Sequence, residues 1–190
     1  RFNIYEGGEG KLTRMHGWLY TLWGRKAQLE GDPNAALKYF ETALVYPDNY
    51  GEGRHYSAQE ANIYYYMGLL FSQMNQETQA QAAWTKAANQ PSQITEITYF
   101  AALSLQALGQ QDQANDLFRK MIDTGNRLKA TARHYGYFGV GMPTPLPFEL
   151  DVAPLNLAEA HLLIALGQKG IGNDTASQEA VDALTAVDPW

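Results

Sequence analysis

Four histidines are the side chains of this chain best suited to bind a metal or transfer a proton, and they stand far apart at positions 16, 55, 134 and 161. None lies in a His-Glu-x-x-His pattern or at another close metal-ligand spacing. The chain has no cysteine, which excludes disulfides, thiolate metal sites and cysteine nucleophiles. The sequence therefore predicts no metal site and no cofactor.

Patterns for phosphate and acyl chemistry are incomplete. Gly10-Lys11 resembles the end of a phosphate-binding loop, but Tyr5 stands where such a loop needs a glycine. No Gly-x-Ser-x-Gly nucleophile pattern occurs. Glu149 and Asp151 could act as an acid–base pair, but loop carboxylates are ordinarily solvated or cap a helix. We predict that this chain is not an enzyme by itself.

Two segments combine glycine with charged and aromatic side chains, and the triplet Arg-His-Tyr occurs in both, at 54–56 and 133–135. If both copies lie at one edge of the molecule, their two arginines could bind a carboxylate or a glycan through bidentate hydrogen bonds. The alternative is that the arginines tie the loops to carbonyls or acidic side chains. The candidate binding residues in these segments are Asn49, Arg54, His55, Arg133, His134 and Tyr135.

A recurring pattern, Ala-x3-aromatic-x2-small, indicates the elements that position these segments. Its copies are Ala36-Phe40-Ala43, Ala80-Trp84-Ala87 and Ala114-Phe118-Met121, and the last two begin 34 residues apart. A second small residue stands twelve positions before each copy, at Gly24, Gly68 and Ala102. We expect the small residues to let paired helices approach closely and the rings to fill the space between successive pairs. All of these positions are predicted to be core.

The pattern W-x2-L-G-x2-Y followed by A-x3-F characterises the tetratricopeptide repeat (TPR), and the chain resembles that family. The resemblance implies an all-α fold, a right-handed α-α superhelix (solenoid) forming a single domain over 1–190. Three regular pairs and a divergent fourth pair are expected at about 11–46, 57–90, 92–124 and 154–187. The expected helices are about 11–30, 33–46, 57–74, 76–90, 92–108, 111–124, 154–166 and 174–187. Loop insertions are expected at 47–56 and about 125–153.

Two local features refine these boundaries. Ser57-x-x-Glu60 predicts a capping box that opens the second pair. In the fourth pair Ala176 is the best match to the repeated alanine, and the glycines from Gly167 to Gly172 are expected to loosen the turn between its helices.

In the TPR family the first helix of each pair lines a concave groove. By spacing, the groove positions here are Trp18, Thr21, Arg25, Asn62, Tyr65, Leu69, Glu96, Tyr99, Leu103 and His161. The candidate binding residues among them are Trp18, Arg25, Asn62, Tyr65, Tyr99 and His161. Aromatic rings with polar tips suit recognition of a peptide or a sugar. The alternative is that an insertion covers these residues and they pack internally.

These groove positions argue against one type of TPR ligand. Repeats that clamp a C-terminal carboxylate of a chaperone carry Lys and Asn at equivalent positions. Here those positions hold Thr21, Arg25, Tyr65, Leu69, Tyr99 and Leu103. A clamp of that type is therefore not predicted.

A second resemblance involves the segments between pairs. Pro47, Asn49, Gly51, Gly53 and Arg54, together with Pro147-Phe148-Glu149, are similar to links in the C-terminal repeat region of large bacterial proteins that pair a domain of unknown function with TPR repeats. The N-terminal part of those proteins looks carbohydrate-related. The resemblance implies that this chain is an accessory module, with its insertions facing the rest of a longer protein.

Composition limits the partners. The formal net charge of −6 disfavours binding to nucleic acid or anionic lipid, and no apolar run is long enough to span a membrane. The absence of cysteine fits the cytoplasm, and the first residue, Arg1, indicates a fragment of a longer protein. We predict a scaffold that binds a peptide segment or its own parent chain. The alternatives are a carbohydrate-binding or accessory module and a homodimerisation module.

Overall fold

The structure, a computed structural model, describes residues 11–48, 53–54, 58–89, 93–130 and 153–187. These residues form eight α-helices and no strand, which confirms the all-α prediction. The helices are α1 Lys11–Leu29, α2 Pro33–Ala43, α3 Ala61–Gln73, α4 Glu77–Ala88, α5 Thr98–Ala107, α6 Gln111–Ala130, α7 Ala153–Gly170 and α8 Asp174–Val187. The chain divides into two compact units, Arg1–Ala114 and Asn115–Trp190. Its description as one domain stays a prediction.

One turn geometry joins the two helices of every pair. A residue with positive φ stands two positions before each second helix, at Gly31, Asn75, Gly109 and Gly172. The next backbone N–H donates to a carbonyl five residues earlier, which is the closing bond of a Schellman motif. Three of the four positions are glycine because this left-handed conformation is strained for a residue with Cβ.

The first two helix pairs, α1–α2 and α3–α4, are each held by a large ring of the second helix lying on a glycine of the first. A Cβ added at Gly24 would lie 2.5 Å from the Phe40 ring, and one added at Gly68 would overlap the indole of Trp84. Both rings are buried, as predicted. Phe40 also joins Ile63 of α3 in one apolar cluster, so its ring links the first pair to the second. The close approach is possible only because neither glycine has a side chain.

The helices of the first unit pack in a regular order. α1 contacts α2 and α3 contacts α4, and α2 and α4 each contact the first helix that follows, α3 and α5 respectively. The first helices α1, α3 and α5 also contact one another in sequence. Side chains on these three helices therefore share one surface.

The second unit uses glycine in the same manner. Gly125 of α6 lies against α7, where an added Cβ would be 2.6 Å from the carbonyl oxygen of Ala160. Gly167 and Gly170 of α7 lie against Ile122 and the ring of Phe118 on α6. The second unit thus contains a close contact of α6 with α7, and α7 packs on α8.

Several predicted boundaries are wrong. The helix expected from Ser57 begins at Ala61, so Glu60 precedes the helix, and its carboxylate accepts hydrogen bonds from Tyr46 and Arg54. Ser57, the other residue of the predicted capping box, lies outside the described residues. The helix expected to end at residue 124 continues to Ala130, through Gly125.

The fourth pair also differs from its expected register. α7 continues to Gly170, and its Gly167 and Gly170 lie against α6 instead of loosening a turn. Of the three glycines from 167 to 172, Gly172 alone has a positive φ. The buried residues of α8 are Ser177 and Ala180, and Ser177 stands one residue after the predicted Ala176. Its hydroxyl donates to the carbonyl of Ala165, twelve positions earlier, so the twelve-residue spacing of the other pairs holds here.

Among the described helices, none is long and apolar enough to cross a membrane.

The glycine contacts make opposite predictions for two helix-interior glycines. Gly68→Ala should lower the free energy of unfolding by about 1–3 kcal/mol, because its methyl group overlaps the ring of Trp84. Gly17→Ala is the matched control, since its Cβ would meet only the Ala43 carbonyl at 3.6 Å. It should raise stability by up to about 1 kcal/mol through helix propensity. Guanidinium denaturation followed by circular dichroism measures both, and wild-type stability of Gly68→Ala would refute the contact.

Candidate functional site

A cluster of five aromatic rings lies on the surface shared by the first helices of the first unit. We call it the first-helix face, and it consists of Trp18, Tyr65, Tyr66, Tyr99 and Phe100. Phe100 is its centre, with ring centroids 6.4 Å from Trp18, 5.9 Å from Tyr65, 5.5 Å from Tyr66 and 5.9 Å from Tyr99. All five side chains are half-buried, so the packed rings keep part of their surface in contact with solvent.

One guanidinium lies beside these rings. Arg25 of α1 is 4.6 Å above the ring centroid of Tyr66, a distance at which the cation is attracted by the ring electrons. The same guanidinium donates to Gln28, and Gln28 donates to Gln73 of α3 at 2.7 Å. Because this chain of hydrogen bonds joins α1 to α3, the orientation of Arg25 is fixed.

The environment keeps the two central tyrosines protonated. Burial raises the pKa of Tyr65, and its neighbours Tyr66 and Tyr99 raise it further, while Arg25 lowers it. Burial also raises the pKa of Tyr66, against the opposing charge of Arg25. At neutral pH the face therefore presents neutral phenols, which can both donate and accept hydrogen bonds.

The structure brings together four of the predicted groove residues, Trp18, Arg25, Tyr65 and Tyr99. The fifth prediction in this unit, Asn62, is buried on α3. His161 lies on α7 in the second unit, where burial, and then the charge of Lys129, lower its pKa.

The remaining predicted groove positions are Thr21, Leu69, Glu96 and Leu103. Thr21 is fully buried and donates to the carbonyl of Gly17, so it is internal packing. Leu69, Glu96 and Leu103 are half-buried.

Sequence reasoning missed Tyr66 and Phe100. They are 34 residues apart, the same spacing as Tyr65 and Tyr99, and each directly follows a predicted groove residue. That repeated pair of adjacent aromatics was a usable signal. Spacing within a pair did not show that Trp18 of α1 reaches Phe100 of α5, because that contact depends on how successive pairs stack.

The other candidate residues belong to the expected insertions, and one of them is described. Arg54 donates twice to the carboxylate of Glu60, at 3.0 and 3.1 Å, and Tyr46 donates to the same carboxylate at 2.5 Å. The Glu60 side chain is only 8% exposed, so these bonds compensate a buried charge. This geometry matches the alternative in which Arg54 ties its loop to an acidic side chain. Asn49, His55, Arg133, His134 and Tyr135 lie outside the described residues.

No group of three or more His, Asp or Glu within the described ranges is placed to hold a metal ion. No protein-family model matches this chain, and no solved structure matches it.

The cluster of Tyr46, Arg54 and Glu60 predicts a loss of stability at alkaline pH. Burial, and then the hydrogen bond and charge of Glu60, raise the pKa of Tyr46 above its ordinary value of 10.0. A group whose folded-state pKa is raised stabilises the fold fully below its unfolded pKa, and that stability is lost as pH rises through the folded pKa. The free energy of unfolding should therefore decline above about pH 10.

Tyr46→Phe tests this cluster. It should cost about 1 kcal/mol at pH 7, through the lost hydrogen bond, and should make the alkaline decline shallower. Glu60→Gln should cost about 1–2 kcal/mol, a figure reduced because Arg54 is partly exposed. Urea denaturation at a series of pH values measures both effects. An alkaline slope in Tyr46→Phe equal to that of the wild type would contradict the assignment.

Proposed function

We propose that the chain is a TPR-like α-α superhelix whose first-helix face binds a peptide segment, from another protein or from its own parent chain. The identical turns of the four helix pairs and the side-by-side first helices of the first unit support this fold. Repeats of this architecture stack into a continuous core and leave the first helices to form an extended binding surface.

The observation that carries the proposal is the half-buried aromatic cluster of the first-helix face. Its rings come from three helices but pack in contact, so they are ordered before any ligand arrives. Rigid aromatic side chains give large contact area at low cost in conformational entropy, and they are enriched at the centres of protein interfaces.

The chemistry of the face indicates the kind of segment it would bind. Trp18 and Tyr65 offer ring surface to an apolar or aromatic side chain. The phenols can hydrogen-bond the peptide backbone, and Arg25 contributes a positive charge that favours a segment with an acidic residue nearby. We infer a short segment that combines apolar anchors with at least one carboxylate.

A carbohydrate ligand is the second candidate. Exposed parts of half-buried Trp and Tyr rings also suit the apolar face of a sugar ring, and phenols suit its hydroxyls. This would make the chain an accessory module of a carbohydrate-handling protein. The peptide is favoured because the rings of neighbouring helices contact one another and the guanidinium of Arg25 lies beside them. A peptide can offer both an apolar side chain to the rings and a carboxylate to Arg25, whereas a neutral sugar offers no charge.

Selection from a phage-displayed library of random linear peptides tests the peptide proposal. Peptides enriched on the wild-type protein should lose about tenfold or more in affinity for Tyr65→Ala or Trp18→Ala, since each change removes an aromatic anchor. Tyr64→Ala is the matched control, because Tyr64 adjoins Tyr65 in sequence but lies beside Lys86 of α4. It should bind as the wild type does, once thermal unfolding shows that each variant is folded.

Two results would contradict the peptide proposal. One is a set of enriched peptides that bind Tyr65→Ala and Trp18→Ala as tightly as the wild type. The other is a glycan array on which the wild-type protein binds defined sugars and Trp18→Ala does not, which would favour the carbohydrate candidate.

A further inference from the structure

A second apolar surface lies on α1, next to Trp18 of the first-helix face, which precedes Leu22 by four residues. We call it the end face, and it consists of Leu19, Leu22 and Trp23, whose exposed fractions are 44%, 58% and 41%. A cavity of about 250 Å³ opens beside it, lined by Trp23, Lys26, Ala27, Glu30 and Tyr39. Large apolar side chains exposed together on one helix face are unusual unless something covers them.

The internal repeat shows what covers the equivalent surface elsewhere in this chain. Gly24 and Gly68 are equivalent and 44 residues apart, so Leu19, Leu22 and Trp23 correspond to Ile63, Tyr66 and Met67 of α3. All three α3 residues pack against Phe40 of α2 or its apolar cluster. Ile63 belongs to the buried cluster of Phe40, and Met67 packs against that cluster. Tyr66 stacks on the Phe40 ring, with 6.3 Å between the ring centroids.

The third first helix repeats this arrangement. With the spacing of 34 residues, Ile63, Tyr66 and Met67 correspond to Ile97, which directly precedes α5, and to Phe100 and Ala101 of α5. Ile97 and Ala101 are buried, and Phe100 is half-buried. The second helix α4 contacts α5, as α2 contacts α3. At two of the three equivalent surfaces, therefore, the partner is a second helix with a buried alanine and, four residues later, a buried ring.

We propose that the end face binds an amphipathic helix of the same chemistry as α2 and α4, with an aromatic residue four positions after an alanine. α1 contains no acidic residue, and its exposed cations, Arg14 and Lys26, favour a helix with acidic residues beside its apolar stripe. Lys26 also lies 3.8 Å from Glu30, which directly follows α1. The proposed interaction is a helix-in-groove contact, distinct from peptide binding on the first-helix face.

A second copy of the chain does not offer this helix among its described residues. α2, α4 and α6 carry the required rings, but Phe40, Trp84 and Phe118 are all buried within the chain itself. In α8 the corresponding position holds Val181. The occupant is therefore a helix other than those described.

A peptide with the sequence of residues 32–46, labelled with fluorescein, is a suitable probe because it carries the ring pattern of α2 and Glu41. Fluorescence anisotropy with the full chain should show saturable binding. Leu22→Glu in the protein should weaken binding about tenfold or more, because it places a charge on the apolar contact. Replacing Phe40 by alanine in the peptide should have the same effect.

Two controls separate this surface from others. Leu29→Glu should change affinity less than about twofold, because its equivalent Gln73 hydrogen-bonds to Gln28 of α1 and so lies on the side of α3 that faces a first helix. Leu29 is 77% exposed, so the substitution is tolerated. Tyr65→Ala should also leave binding unchanged, which distinguishes failure at the end face from failure of the first-helix face.

Two outcomes would overturn the proposal. In the first, the peptide binds Leu22→Glu as tightly as the wild type, as would occur if it replaced α2 in its own position. In the second, light scattering shows a dimer of the unliganded protein that Leu22→Glu dissociates, which would make a second copy the occupant.

Discussion

The contact of a ring with a glycine backbone is the constraint on which the first unit depends. Phe40 lies on Gly24 and Trp84 lies on Gly68, each so closely that a methyl group has no room. This contact sets the distance between the two helices of a pair. It also turns the buried ring toward the next first helix, as the shared cluster of Phe40 and Ile63 shows. Packing within a pair and packing between pairs therefore rest on the same residue.

The aromatic first-helix face follows from that arrangement. The second helices α2 and α4 lie between successive first helices on one side, and the first helices α1, α3 and α5 contact one another in sequence. Phe100 can therefore contact rings from all three first helices. Two contacts fix the position of α1 relative to α3: the hydrogen bond from Gln28 to Gln73 and the guanidinium of Arg25 above the Tyr66 ring. The surface that we propose for ligand binding is thus an extension of the core, and its rigidity comes from the core.

The sequence predicted the buried positions well because glycine, alanine and aromatic residues recur at fixed spacing inside each pair. It predicted Trp18, Tyr65 and Tyr99 on one face for the same reason. It could not predict that Phe100 joins them, because a contact between α1 and α5 depends on the stacking of successive pairs. The start of α3 and the role of Glu60 were not predicted from the sequence, because the carboxylate of Glu60 binds Tyr46 and Arg54, which come from a segment earlier in the chain. The role of the face in binding stays a prediction.

The α-proton chemical shifts of the helix glycines test the ring–glycine contact most directly. If the rings of Phe40 and Trp84 lie on Gly24 and Gly68, ring currents should displace the α-proton shifts of both glycines, and nuclear Overhauser contacts to those rings should appear. Gly17 lies on the same helix as Gly24, but a Cβ added there would meet only the backbone carbonyl of Ala43, at 3.6 Å, so its α-protons should show neither effect. Shifts for Gly24 and Gly68 equal to that of Gly17, without ring contacts, would contradict the proposed basis of the fold.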